Sequence, residues 1–154
     1  TVRSFPFIIL MVAIIPLTRF IVGKAIGVNA ALVPLTIGAA PFIARVIESA
    51  LKEVDKGLIE AAKSFGASDF QIIFKVMIKE AMPSIVSGIT LSTISILGYT
   101  AMAGAVGAGG LGAVALTYGY QKFDTSVMLY TVLILIVIVQ LIQCIGNLAY
   151  KKLK

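Results

Sequence analysis

The chain has 154 residues, 59% of them hydrophobic and 13% charged, with a mean hydropathy of +1.04. That charged share is about half the usual one, which excludes an ordinary soluble domain and makes this a membrane protein. The net charge of +6 does not point to nucleic acid, because the lysines and arginines border apolar spans as orientation signals do. With no histidine and a single cysteine, Cys144, a histidine-based metal site, a histidine triad and an internal disulfide are all excluded.

One membrane domain is expected over residues 1–154, with four apolar spans. The first runs from about Phe5 to Val22 and should kink at Pro16. No cleavable signal is evident in it, because Pro16 and Arg19 interrupt the apolar run. The chain opens on Thr1 and the first span begins almost at once, so an N-terminal part is expected to be missing. The second span covers about 30–47, with Pro34 and Pro41 as breaks and Gly38, Ala39 and Ala40 allowing close backbone approach.

Charge returns between 57 and 79. Leu58, Ile59, Ala62 and Phe65 recur at helical spacing, Gly66 is free to end that helix, and Ser68 or Asp69 can cap a second one reaching roughly Lys79. Phe70, Ile73 and Met77 form its stripe. An elbow this short cannot bury its own apolar face. It is either a surface loop lying on the membrane or a docking element for a soluble protein.

The third span, about 84–103, is rich in Ser and Thr and suits helix packing or a path rather than lipid. Gly104 to Gly119 is glycine-rich. Within it Gly107–Gly112 matches G-x-G-x-x-G, yet a membrane span precedes it and the only later acid, Asp124, comes too early for a dinucleotide site. A re-entrant segment is the better reading. The fourth span, about 126–145, contains TVLILIVIV, apolar on every side as suits a lipid-facing helix, and Lys151, Lys152 and Lys154 end the chain. If the elbow is cytoplasmic, all basic residues except Arg19, Lys24 and Lys122 fall inside, as do both termini and so the C-terminus.

No charged residue lies between Glu80 and Lys122 or between Asp124 and Lys151. Ion-driven carriers usually hold an ionisable group at membrane depth, where each costs about 2.5–3.5 kcal/mol on insertion scales. Energy must then come from whatever binds the charged elbow.

Glu60-Ala61-Ala62-x3-Gly66-x9-Val76-x-Ile78 resembles the EAA loop of ABC importer permeases of the type I fold, although Lys79 stands where that family carries proline. PFIILMVAIIPLTRFIVG, AALVPLTIGAAPFIARVIESAL, GLIEAAKSFGAS and GYTAMAGAVGAGGLGAVALTYGY together are similar to the methionine-import subgroup, over nearly the whole chain. The resemblance implies an all-α membrane permease of the type I ABC importer fold, paired with a second copy of itself and two cytoplasmic ABC ATPase subunits. It also implies a methionine-binding protein outside and a place in the bacterial cytoplasmic membrane. The chain would hydrolyse nothing and carry no cofactor, with ATP and Mg on the ATPase. Glu60, Ala61, Ala62, Phe65 and Gly66 would form the coupling site. Glu60 would hold the elbow in shape or contact the ATPase, the alanines would permit close approach, and Gly66 would make the turn. Met102 is the candidate gate, with Ser92, Ser95 and Tyr99 along the path. Importers of another small amino acid or organic solute, an ATPase-independent channel or carrier, and a structural subunit stay open.

Overall fold

The computed structural model describes residues 7–104 and 107–153, and among them every regular element is helical. The first apolar block is two short helices, α1 (Phe7–Ala13) and α2 (Ile15–Val22). Its expected start at Phe5 lies outside the described residues. Pro16 sits in the first turn of α2, where a missing N–H is tolerated. Regular helix is interrupted at Ile14, and neither piece, 7 and 8 residues long, is long enough to cross a membrane alone.

Among the described residues three helices are long and apolar enough to cross: α3 (Val28–Lys52), α5 (Asp69–Ala103) and α7 (Thr125–Leu153). The short helix α4 (Lys56–Ser64) lies between the first two, and α6 (Gly110–Val114) lies between the last two, passing into wider π turns over Ala115–Gln121. Two expectations are corrected. Pro34 and Pro41 do not break α3, which runs through both. The second helix of the elbow does not stop near Lys79. It continues as a π-helical segment, Ile72–Met77, and then through Pro83 to Ala103 as a single helix of 35 residues, about 52 Å long.

α5 is the central column. It crosses α3 where Gly88 meets Val46 and crosses α7 where Gly146 meets Thr90, glycine in each case letting a neighbouring side chain reach the backbone. Two apolar clusters tie the ends together. Ala50, Val54, Ala81 and Ile85 join the end of α3 to the beginning of α5, with Ile47, Leu51, Ile59 and Met77 packed against them. At the opposite end Met11, Ala31 and Ala103 meet, with Phe7, Leu35 and Ala108 beside them. We call these the elbow end and the glycine end.

The last helix departs from the all-apolar surface expected of it. It extends to Leu153, and its second half exposes Gln140, Gln143 and Asn147. By helical register Gln140 and Asn147 lie on the side opposite the buried Thr131. At the elbow end of α3, Glu48 pairs with Arg45 at 3.6 Å and with Lys52 at 2.6 Å. These groups are exposed, so solvent screens both pairs and they contribute little to stability.

Candidate functional site

The elbow is built by local chemistry. Asp55 caps α4, its carboxylate accepting from the Gly57 amide at 2.6 Å. Ser64 donates back to the Glu60 carbonyl at 3.0 Å. α4 ends in a Schellman motif, with the Ala67 amide donating to Ala62 O at 3.1 Å and the Gly66 amide to Lys63 O at 2.9 Å. Gly66 holds φ at +77°, the left-handed region where a side chain is strained.

Of the two candidate caps for the next helix, Ser68 takes the position. A capping box forms with Gln71: the Ser68 amide donates to Gln71 Oε1 at 3.0 Å and the Gln71 amide to Ser68 Oγ at 3.4 Å. Asp69 follows in the first turn, where its charge favours the helix N-terminus.

The expected apolar stripes do not form one buried face. Ile59 and Met77 turn inward onto the cluster of Ala50, Val54, Ala81 and Ile85, and Ile72 is buried nearby. Leu58, Phe65, Phe70, Ile73 and Phe74 stay exposed. Phe65 is 91% exposed and Phe70 76% exposed, and Phe70 stacks on Phe74 with centroids 5.8 Å apart. The elbow is thus fastened to the spans on one side and presents unpartnered aromatic surface on the other. Val54 and Ile72 were not singled out in the sequence. An isolated apolar residue between Glu53 and Asp55 was the available signal for Val54.

Among the candidate coupling residues, Ala61 is exposed, Ala62 half-buried and Glu60 exposed. The Glu60 carboxylate forms no ion pair or hydrogen bond among the described residues; only its backbone carbonyl is engaged. Gly66 and Phe65 sit together at the bend.

The path candidates share one face of α5 by register, since 92, 95, 99 and 102 recur at helical spacing. Their surroundings differ. Ser92 is 1% exposed and donates to Gly88 O at 2.8 Å. Ser95 is half-buried and donates to Leu91 O at 3.0 Å. Tyr99 stacks on Phe7 at 4.8 Å, while Met102 is exposed beyond them.

The glycine-rich segment folds back on α5. A Cβ on Gly104 would strike the backbone of Gly112 and Ala113, and one on Gly112 would strike the backbone of Ala101. A helix precedes the G-x-G-x-x-G match and no strand occurs among the described residues, so the dinucleotide geometry is not there.

The whole chain, residues 1–154, matches the family described as binding-protein-dependent transport system inner membrane component. The chain belongs to that family. Within it, the chain is 57% identical over 145 residues to a probable D-methionine transport system permease protein MetI of Vibrio cholerae, covering 94% of this chain and 64% of the relative. It is 52% identical over 146 residues to the methionine import system permease protein MetP of Bacillus subtilis, covering 95% and 66%. The chain thus spans just under two thirds of the length of these relatives. A solved structure described as inward facing conformations of the MetNI methionine ABC transporter superposes with a TM-score of 0.96 at 50% identity, over 99% of this chain and 71% of that one. The fold is the all-α, type I ABC importer permease fold of a membrane protein, as the elbow motif implied.

Proposed function

We propose that the chain is the core of the transmembrane permease subunit of an ATP-driven importer that takes up methionine. One observation carries this reading. The elbow is anchored through Ile59 and Met77 to both α3 and α5, while Phe65, Phe70 and Phe74 are left bare on its other side. A partner seated on the bare side would move both helices as one lever. In this reading the partner is a cytoplasmic ABC ATPase, present in two copies against two copies of the permease, with ATP and Mg held by the ATPase. A methionine-binding protein delivers substrate from outside. Glu60, Ala61, Ala62, Phe65 and Gly66 form the coupling contact, and Ser92, Ser95, Tyr99 and Met102 mark the path and gate on α5. The permease itself hydrolyses nothing.

The membrane is the bacterial cytoplasmic one, with elbow and C-terminus inside. Charge supports that orientation. Lys52, Lys56, Lys63, Lys75 and Lys79 belong to the elbow end, and Tyr150 shares a cavity there with Arg45 and Ser84, which brings Lys151 and Lys152 to the same side. The names of the relatives and of the matched structure support methionine as substrate.

The test reconstitutes the full-length permease with its ATPase and binding protein in vesicles. Methionine uptake should require ATP, and the ATPase should co-purify with the permease. Flux through the permease alone without ATP would replace this reading with a channel or carrier. Stronger competition by another amino acid than by unlabelled methionine would reassign the substrate.

A further inference from the structure

Several hydroxyl groups in the helices are satisfied by a carbonyl of their own helix, and Thr18 is not. Thr36, Thr90, Ser92, Ser95 and Thr131 each donate to the carbonyl four residues back, as hydroxyls in apolar helices do. Thr18 is 3% exposed, and its Oγ1 has no hydrogen-bond partner among the described residues. It lines a cavity of about 470 Å³ at the glycine end, walled by Met11, Ile15, Ile26, Ala31, Pro34 and Gly107. That size falls within the range of small-molecule sites.

The lining restricts the occupant. A water needs two to four polar partners, and among the described residues the Thr18 hydroxyl is the only side-chain polar group on these walls. A charged or strongly polar molecule would lose its hydration without compensation. What fits is a slender apolar chain with a single acceptor atom opposite Thr18 Oγ1.

We propose that this cavity is a binding site for a flexible apolar chain bearing one hydrogen-bond acceptor, with Thr18 Oγ1 donating to that acceptor. Two sources share this chemistry. One is the thioether side chain of methionine, an arm that rests on the transport reading above. The other is an ester-linked acyl chain of a phospholipid, which does not.

The test is thermal unfolding of the permease–ATPase complex in detergent, wild type against Thr18→Val. Valine keeps the shape and removes the donor. Added L-methionine, L-norleucine (the same length without sulfur) and dioleoylphosphatidylglycerol serve as probes. One of methionine or the phospholipid should raise the wild-type midpoint by several degrees, and Thr18→Val should lose most of that shift. A shift with methionine but not norleucine identifies the thioether; a shift with the phospholipid alone identifies the acyl ester. Binding of methionine elsewhere in the complex shifts both proteins equally and cancels. If Thr18→Val is simply more stable than wild type and responds to every probe as wild type does, the hydroxyl serves no ligand and the proposal is overturned. Wild-type methionine uptake, measured alongside, reports on the transport reading separately.

Discussion

The Ala67 amide reaches across Gly66 to the Ala62 carbonyl at 3.1 Å, so the turn at Gly66 is closed by backbone hydrogen bonds. Nothing lies within 4 Å of where a Gly66 Cβ would stand, and the constraint there is φ at +77°, not space. A side chain in that conformation costs about 1–2 kcal/mol, with asparagine the most tolerant. Gly66→Val should therefore reach the membrane normally yet lower ATPase co-purification and methionine uptake severalfold, with Gly66→Asn intermediate. Wild-type uptake by the valine variant would remove the bend from the mechanism.

The bare aromatic side predicts a binding defect without a folding defect. Phe65→Ser and Phe70→Ser change exposed positions, so the permease's own thermal midpoint should barely move, within about 0.5 kcal/mol of stability. Loss of an aromatic anchor at an interface centre costs about 2 kcal/mol or more. ATPase capture by permease-containing membranes should fall at least tenfold, and unchanged capture would place the ATPase elsewhere.

Ile59 separates docking from transmission. It packs on the cluster that joins α3 to α5 and takes no part in the exposed side. Ile59→Ala should leave ATPase capture near normal while lowering methionine taken up per ATP hydrolysed. Its stability cost should sit below the about 2–5 kcal/mol of a fully buried site, because Ile59 is only half-buried. Equal losses in capture and uptake would merge the two roles.

Glycines at the far end make a contrasting pair. Gly112→Ala would drive a methyl group into the Ala101 backbone, whereas Gly98 has open space at its Cβ position. Gly112→Ala should lower the unfolding temperature in detergent. Gly98→Ala, within α5, should leave it unchanged or raise it by up to about 1 kcal/mol of stability. Matching behaviour of the two variants would contradict the close packing of α6 on α5.

The elbow was legible in the residues because its determinants are local. Ser68 and Gln71 are three residues apart, and the helix before Gly66 needs only a glycine to close. The run from Asp69 to Ala103 as one helix was not legible. The change from charged to apolar sequence near Lys79 suggested two elements, but helix continuity depends on backbone geometry and not on polarity. Proline was misleading in the same way. Pro34, Pro41 and Pro83 lie inside continuous helices, while Pro16 falls in the first turn of one, just after the helix break at Ile14.

Sequence by itself determined that this chain belongs in a membrane and that a capped, glycine-closed bend interrupts its apolar spans. Those properties follow from hydropathy and from contacts only a few residues long. Tertiary structure alone decided which elbow residues face the spans and which face outward, that α6 lies backbone-to-backbone on α5, and that Thr18 is left facing an apolar cavity. Each of these depends on residues far apart in the chain, and helical periodicity defines a face without saying what packs against it.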